Sequence, residues 1–456
     1  MNPVQLLARL DTVLGHWADI RVRLGDMDPM LAQALDAMAL KLGRAQTPEA
    51  ITVALDRLLE LVEDTSADAY VRELMARAAL GDLVRTRGMR TLGTPLELHA
   101  ETTAATAMAA HSAGELASAA SGETVAVQRT IYLATNRAHS GDGDFLDAYT
   151  ADHSDTLSFA RATVSVPVSR HKLGKLEQPT WWNGPDAAQH FLVAPELEPI
   201  AQPVAFCTRL GADAAPTGEL LAFLHGYHVT LEEALLRAAQ VALDIGHAGP
   251  VLLFSWPSAG ALLKYLADEE RAATAARPFA ELLGLLEGGP WRHVHLLAHS
   301  MGNRVLVGAL AARAARPAAA ALPVANVILA AADVHVDRFR QDYALCAPGR
   351  APAAASAAEP LWTSYASRHD RALWLSSWLH AGARIGGFDG DAPYTADGLQ
   401  TIDASSTDAS LIGLNHSYFG GRPSVLTDIA YLMHHGLPAG QRPPLEPVQR
   451  WWRFKA

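Results

Sequence analysis

Two cysteines, Cys207 and Cys346, are all the thiols that 456 residues provide, and no Cys-x-x-Cys spacing occurs. That excludes a disulfide framework and the usual zinc patterns, and it suits a reducing compartment. No block of Lys and Arg interrupts an acidic balance of −11, so the electrostatic footprint of a nucleic-acid binder is missing. No apolar run approaches the roughly 20 residues that a membrane-spanning helix needs. The first apolar stretch carries Arg9 and Asp11 and so lacks the uninterrupted core of a signal peptide. A cytoplasmic, non-transmembrane protein without a metal is the expectation. What is present is ordinary globular material: 50% apolar and 19% charged residues, enough for a sizeable core.

The chain divides by texture. Residues 1–100 read as a helical domain. Asn2-Pro3 caps a stripe of Leu6, Leu10, Val13, Trp17 and Ile20 at three- and four-residue steps, and Asp28-Pro29 and Thr47-Pro48 open further helices. Residues 101–124, rich in Ala, Ser and Thr, read as a linker or weak helix. From 125 to 440 short apolar runs at 220–224, 251–254, 294–297, 327–329 and 361–365 alternate with helical stretches. That alternation predicts a mostly parallel sheet flanked by helices. Thr230 and Glu233 form a capping box ahead of an amphipathic helix over 231–245. Residues 441–456 read as a C-terminal tail.

Chemistry concentrates where strands are predicted to end. Residues 293–304, HVHLLAHSMGNR, run an apolar strand straight into a helix through Ser300. This is a variant nucleophile elbow, with Ala298 in place of the first glycine of G-x-S-x-G and Gly302 as the second. Both positions must be small because neighbouring backbone crowds them. The Met301 N–H, at the helix start, is placed to bind a developing oxyanion. A second strand ends in LAFLHGYH, residues 221–228, where Gly226 allows a sharp turn and the Tyr227 N–H is the natural second donor. His225, Gly226, His228, Trp256 and His299 are the candidate pocket residues.

A serine nucleophile needs a base, and the base an orienting carboxylate. Asp370 follows the run at 361–365, and His416 lies on a Gly/Asn loop before the last helix, which gives the order Ser, acid, His. Asp333, which follows the run at 327–329, is a rival acid, and Asp403 is a weaker one. Among 19 histidines, His369 precedes the acid and His434 and His435 fall within a helical stretch. Asp268, Glu269 and Glu270 read as a solvated face, and Ser258 as a capping residue.

Taken together, HGY at 225–227, FSWPSAG at 254–260 and AHSMGN at 298–303 resemble the bacterial alpha/beta hydrolase family of unknown function 900. The segments 164–179, 370–373 and 415–418 do so too, so the likeness spans roughly 125–435. The chain departs from the family at His228, where asparagine is common. The resemblance implies an α/β-hydrolase fold, here preceded by the N-terminal α-helical bundle, and a Ser300–Asp370–His416 triad. The expected activity is hydrolysis of a small-molecule or lipid carboxylic ester through an acyl-enzyme, with no cofactor. The competing reading is an interaction or effector protein. In it the helical bundle recruits a protein partner or self-associates, and the hydrolase domain acts on a thioester or amide or serves as a scaffold.

Overall fold

The computed structural model describes residues 126–455 apart from 142–145, 180–184, 228, 259–264, 316–321, 348–358, 371–372, 374–375, 378–381 and 407–417. The expected helical domain, the 101–124 linker, His228 and His416 therefore lie outside the described residues.

A long antiparallel pair comes first, β1 (Val127–His139) with β2 (Tyr149–Val166), followed by the short β3 (Leu192–Val193) and β4 (Glu198–Pro199). Strands and helices then alternate: α1 (Pro203–Ala214), β5 (Glu219–Leu224), α2 (Leu231–Asp244), β6 (Val251–Ser255), α3 (Tyr265–Leu285), β7 (His293–His299), α4 (Gly302–Ala314), β8 (Val324–Ala330), α5 (Val336–Cys346) and β9 (Leu361–Ala366). The chain continues through a hairpin, β10 (Phe388–Asp389) with β11 (Ala392–Pro393), to β12 (Leu399–Asp403), α6 (Tyr418–Gly421), α7 (Pro423–His435), β13 (Leu445–Val448) and β14 (Trp451–Phe454). The main sheet runs β13-β14-β12-β9-β8-β7-β5-β6-β1-β2-β3. Every pair from β14 through β1 is parallel.

Alternate residues of the central strands go to opposite cores. In β5, Leu221 and Phe223 meet α2 and α7, whereas Leu220, Ala222 and Leu224 meet the layer of α1, α3, α4 and α5. Both faces are covered, so the strands read as continuous apolar runs without a period of two. The capping box expected at Thr230 and Glu233 is formed at the start of α2.

The structure departs from the sequence reading in two places. The stretch 441–456, read as a tail, carries β13 and β14, and β14 pairs with β12. The segment leading to them is held by a buried ion pair: Arg442 donates to Asp428 Oδ2 at 2.6 Å, and Asp428 Oδ2 also accepts from the Tyr365 hydroxyl at 2.6 Å. Asp268 is the second departure. It is fully buried and accepts from Ser258 Oγ at 2.6 Å, while Glu269 pairs with Arg304. Of the expected solvated face only Glu270 is exposed. A carboxylate that finds a hydroxyl donor can be buried where an unpaired one is not tolerated.

One buried charge links the segment after β2 to α2. His171 lies between Glu177, 2.8 Å from Nδ1, and Asp244, 2.5 Å from Nε2. Burial works against its charge, but the hydrogen bonds to Asp244 and Glu177 overcome it and raise the imidazole to about 9. Because this lies above the unfolded value of 6.5, the contribution to stability is complete below about pH 6.5. It is lost as pH rises through 9. Urea unfolding of the wild type should show stability falling between pH 6.5 and 9.5, with the fall blunted in His171→Gln. An equal fall in both proteins would remove His171 as its cause.

Candidate active site

The sheet reverses its order at β5. The chain goes from β5 outward to β6 and then returns to the other side of β5 for β7. Such a switch opens a crevice beyond the carboxyl ends of the two diverging strands, where open α/β sheets bind their ligands. His225-Gly226-Tyr227 follows β5, and Ser300 follows β7.

Ser300 is buried and has φ 54°, a left-handed conformation that non-glycine residues seldom adopt. Its backbone is tied on both sides. The N–H donates to Ala330 O at 3.0 Å, and the C=O accepts from the backbone N–H of Asn303 at 3.1 Å and of Asp333 at 3.2 Å. Asn303 Nδ2 also donates to Ser300 O at 3.0 Å and to Ala330 O at 3.2 Å. Asn303 thus clamps the elbow to β8, a role that the sequence motif shows as a residue type but not as a contact.

Two glycines permit this turn. A Cβ on Gly302 would lie 2.5 Å from His225 O and 2.9 Å from Leu224 O, both backbone atoms. A Cβ on Gly226 would lie 2.9 Å from Ser300 Cβ and 2.8 Å from His299 Nδ1. The strand-end loop after β5 and the elbow after β7 are therefore in direct contact. α4 begins at Gly302 after Met301, with the Asn303 and Arg304 N–H groups turned back onto Ser300 O and Met301 O, and the positive end of its dipole lies at this turn.

Residues 204–434, slightly more than half of the chain, match the family model described as alpha/beta hydrolase of unknown function. The chain belongs to that family. No curated protein and no solved structure matches it.

In this hydrolase the rival carboxylates occupy different settings. Asp370 is buried after β9, and its Oδ1 caps the Leu373 N–H at 3.0 Å. Asp333 Oδ1 accepts from Ser376 Oγ at 2.8 Å and faces two guanidinium groups, Arg384 at 3.3 Å and Arg304 at 3.4 Å. Its carboxylate is committed to fixed cations, while its backbone supports Ser300. Asp403 caps Ser405 N–H at 2.8 Å. His369 is exposed, and His434 lies in the last turn of α7 with Nε2 bonded to Ile245 O at 2.7 Å. His435 shares that turn.

Trp256, expected as a pocket wall, is fully buried in the hydrolase and lies beneath His225. Their rings stack at 5.1 Å with 9° between planes, and Trp256 Nε1 donates to His225 O at 2.8 Å. His225 is itself buried. Sequence reasoning passed over Arg137, which is 3% exposed and lies against the same turn. Burial lowers its pKa to about 10, so it remains a cation near neutral pH. No helix among the described residues is long and apolar enough to cross a membrane. No group of three or more metal-ligating side chains occurs among them.

Holding Ser300 at a positive φ costs about 1–3 kcal/mol of backbone strain. Ser300→Gly should therefore be more stable than Ser300→Ala by about 1 kcal/mol in urea unfolding. Alanine matching or exceeding glycine would mean that the elbow is unstrained.

Proposed function

We propose that the protein is a serine hydrolase that cleaves carboxylic esters through an acyl-enzyme. The observation that carries this reading is Ser300 in a left-handed turn at the sheet's switch point, pressed against Gly226. Ala331 after β8 shares the left-handed backbone, but among the described residues Ser300 alone combines it with a hydroxyl at the switch point, against Gly226. A nucleophile needs that strain, because it lifts the hydroxyl clear of the sheet.

Each residue then has a task. Ser300 Oγ attacks the acyl carbon, and the N–H groups of Tyr227 and Met301 receive the negative charge that develops on the carbonyl oxygen. His416 takes the serine proton and returns it to the leaving alcohol, and water repeats the cycle to release the acid. Asp370 holds the imidazole in the tautomer that accepts from serine. Asp370 is preferred to Asp333 because the latter already neutralises Arg304 and Arg384. His416 rests on chain order, since it follows the acid and precedes α7. The substrate is a small-molecule or lipid ester, and the reaction needs neither metal nor cofactor.

A fluorophosphonate probe should label the wild type and not Ser300→Ala, and p-nitrophenyl esters should be turned over with the same dependence. Asp370→Asn should lower kcat by about 10⁴-fold in a folded protein. Asp333→Asn should chiefly lower stability. An unlabelled wild type, or labelling that survives Ser300→Ala, would sink the assignment. Loss of turnover only in Asp333→Asn would transfer the acid's role to Asp333.

A further inference from the structure

An oxyanion donor has to be aimed as well as present. The peptide unit that carries the Tyr227 N–H also carries the Gly226 carbonyl, and in a trans peptide the two point in opposite directions. No cis peptide occurs among the described residues. Whatever fixes the Gly226 oxygen therefore aims the Tyr227 N–H.

That oxygen lies 2.7 Å from His225 Nδ1. His225 Nε2 lies 3.2 Å from Ser255 Oγ, and Arg137 Nε donates to Ser255 Oγ at 2.9 Å. The Gly226 carbonyl can only accept, so the ring proton sits on His225 Nδ1 and is donated to it. In a neutral ring Nε2 is then an acceptor, to which Ser255 donates its O–H while its oxygen accepts from Arg137, since a guanidinium only donates. Each hydrogen bond in the series fixes the direction of the next. The series requires a neutral ring. Burial, aided by the Arg137 charge and opposed by the bond to Gly226, holds His225 down at about 3.

The surroundings keep the series in place. Arg137 also donates to Val229 O and Ser258 O, both at 3.0 Å, bracketing the turn from its far side. Trp256 fixes the other face of His225 by stacking and by its bond to the His225 carbonyl. Arg137 comes from β1, whose residues 127–139 precede the 204–434 family match.

We propose that Arg137, Ser255 and His225 form a positioning relay that orients the Gly226–Tyr227 peptide so that the Tyr227 N–H faces the oxyanion. The proposal rests on the acyl-enzyme reading above. All three side chains are buried, and the relay acts through the peptide it orients. Their effect is confined to the transition state, where charge appears on the carbonyl oxygen, and so falls on kcat and not on KM.

The test uses the full chain, p-nitrophenyl acetate, and two readouts that do not depend on turnover. In ¹⁵N-histidine spectra of the wild type, His225 should be the neutral Nδ1–H tautomer from pH 5 to 9. Deuterium exchange over 222–231 should be faster in Ser255→Ala than in the wild type, with the rest of the sheet unchanged. Ser255→Ala should lower kcat at least tenfold, within the roughly 10²–10³-fold cost of deleting a donor. KM should stay within twofold, and Ser255→Thr should recover most of the loss. Arg137→Lys should fall between wild type and Ser255→Ala. An Nε2–H tautomer, unchanged exchange in Ser255→Ala, or a loss that falls on KM alone would overturn the relay while fluorophosphonate labelling of Ser300 still upheld the hydrolase reading. An unlabelled wild type would overturn both.

Discussion

Two backbones pass so closely at the ends of β5 and β7 that neither Gly226 nor Gly302 has room for a methyl group. The site depends on that approach. It brings a strand-end peptide to the side of Ser300, and it sets the start of α4 against the carbonyls of Leu224 and His225. The strain at Ser300 persists because Asn303, Ala330 and Asp333 over-determine its position from three sides. On the acyl-enzyme proposal, preorganised dipoles of this kind do not have to rearrange when charge appears on the substrate, which offsets the conformational cost of the turn.

Charge around the elbow is sorted with care. On one side Asp333 stands between Arg304 and Arg384, with Glu269 completing the pairing of Arg304. On the other, Arg137 is satisfied by Ser255 Oγ and by the carbonyls of Val229 and Ser258, while Asp268 balances its charge through space. Neutral His225 lies between the cation and the turn. Buried cations of this sort contribute little net stability, because desolvation offsets most of their attraction. They are better understood as fixing geometry.

The central strands and the elbow were legible in the sequence because both are local. An apolar run followed by small-x-Ser-x-Gly declares a strand, a turn and a helix within a dozen residues, and Thr230 with Glu233 declares a helix start in four. Asp268 was misread because a run of three acids ordinarily faces water; its donor, Ser258, lies ten residues upstream. The strands at the C-terminus were missed for a related reason. Residues 445–454 are short and interrupted by Pro447, and only the pairing of β14 with β12 and of β13 with β14 makes them strands. Arg137 was the least legible, since its partner Ser255 is 118 positions away and nothing in the local sequence sets it apart from a surface arginine.

The family match spans 204–434, yet both margins of the sheet come from outside it. On one side β1 and β2 cover β6, and on the other β14 and β13 cover β12. Stripped of these, β6 and β12 would present rows of open N–H and C=O groups on an apolar surface, a template for pairing with other chains. The matched region is thus smaller than the sheet it helps to build. Segments beyond the matched region act here as seals, and one of the seals also delivers Arg137 to the turn after β5.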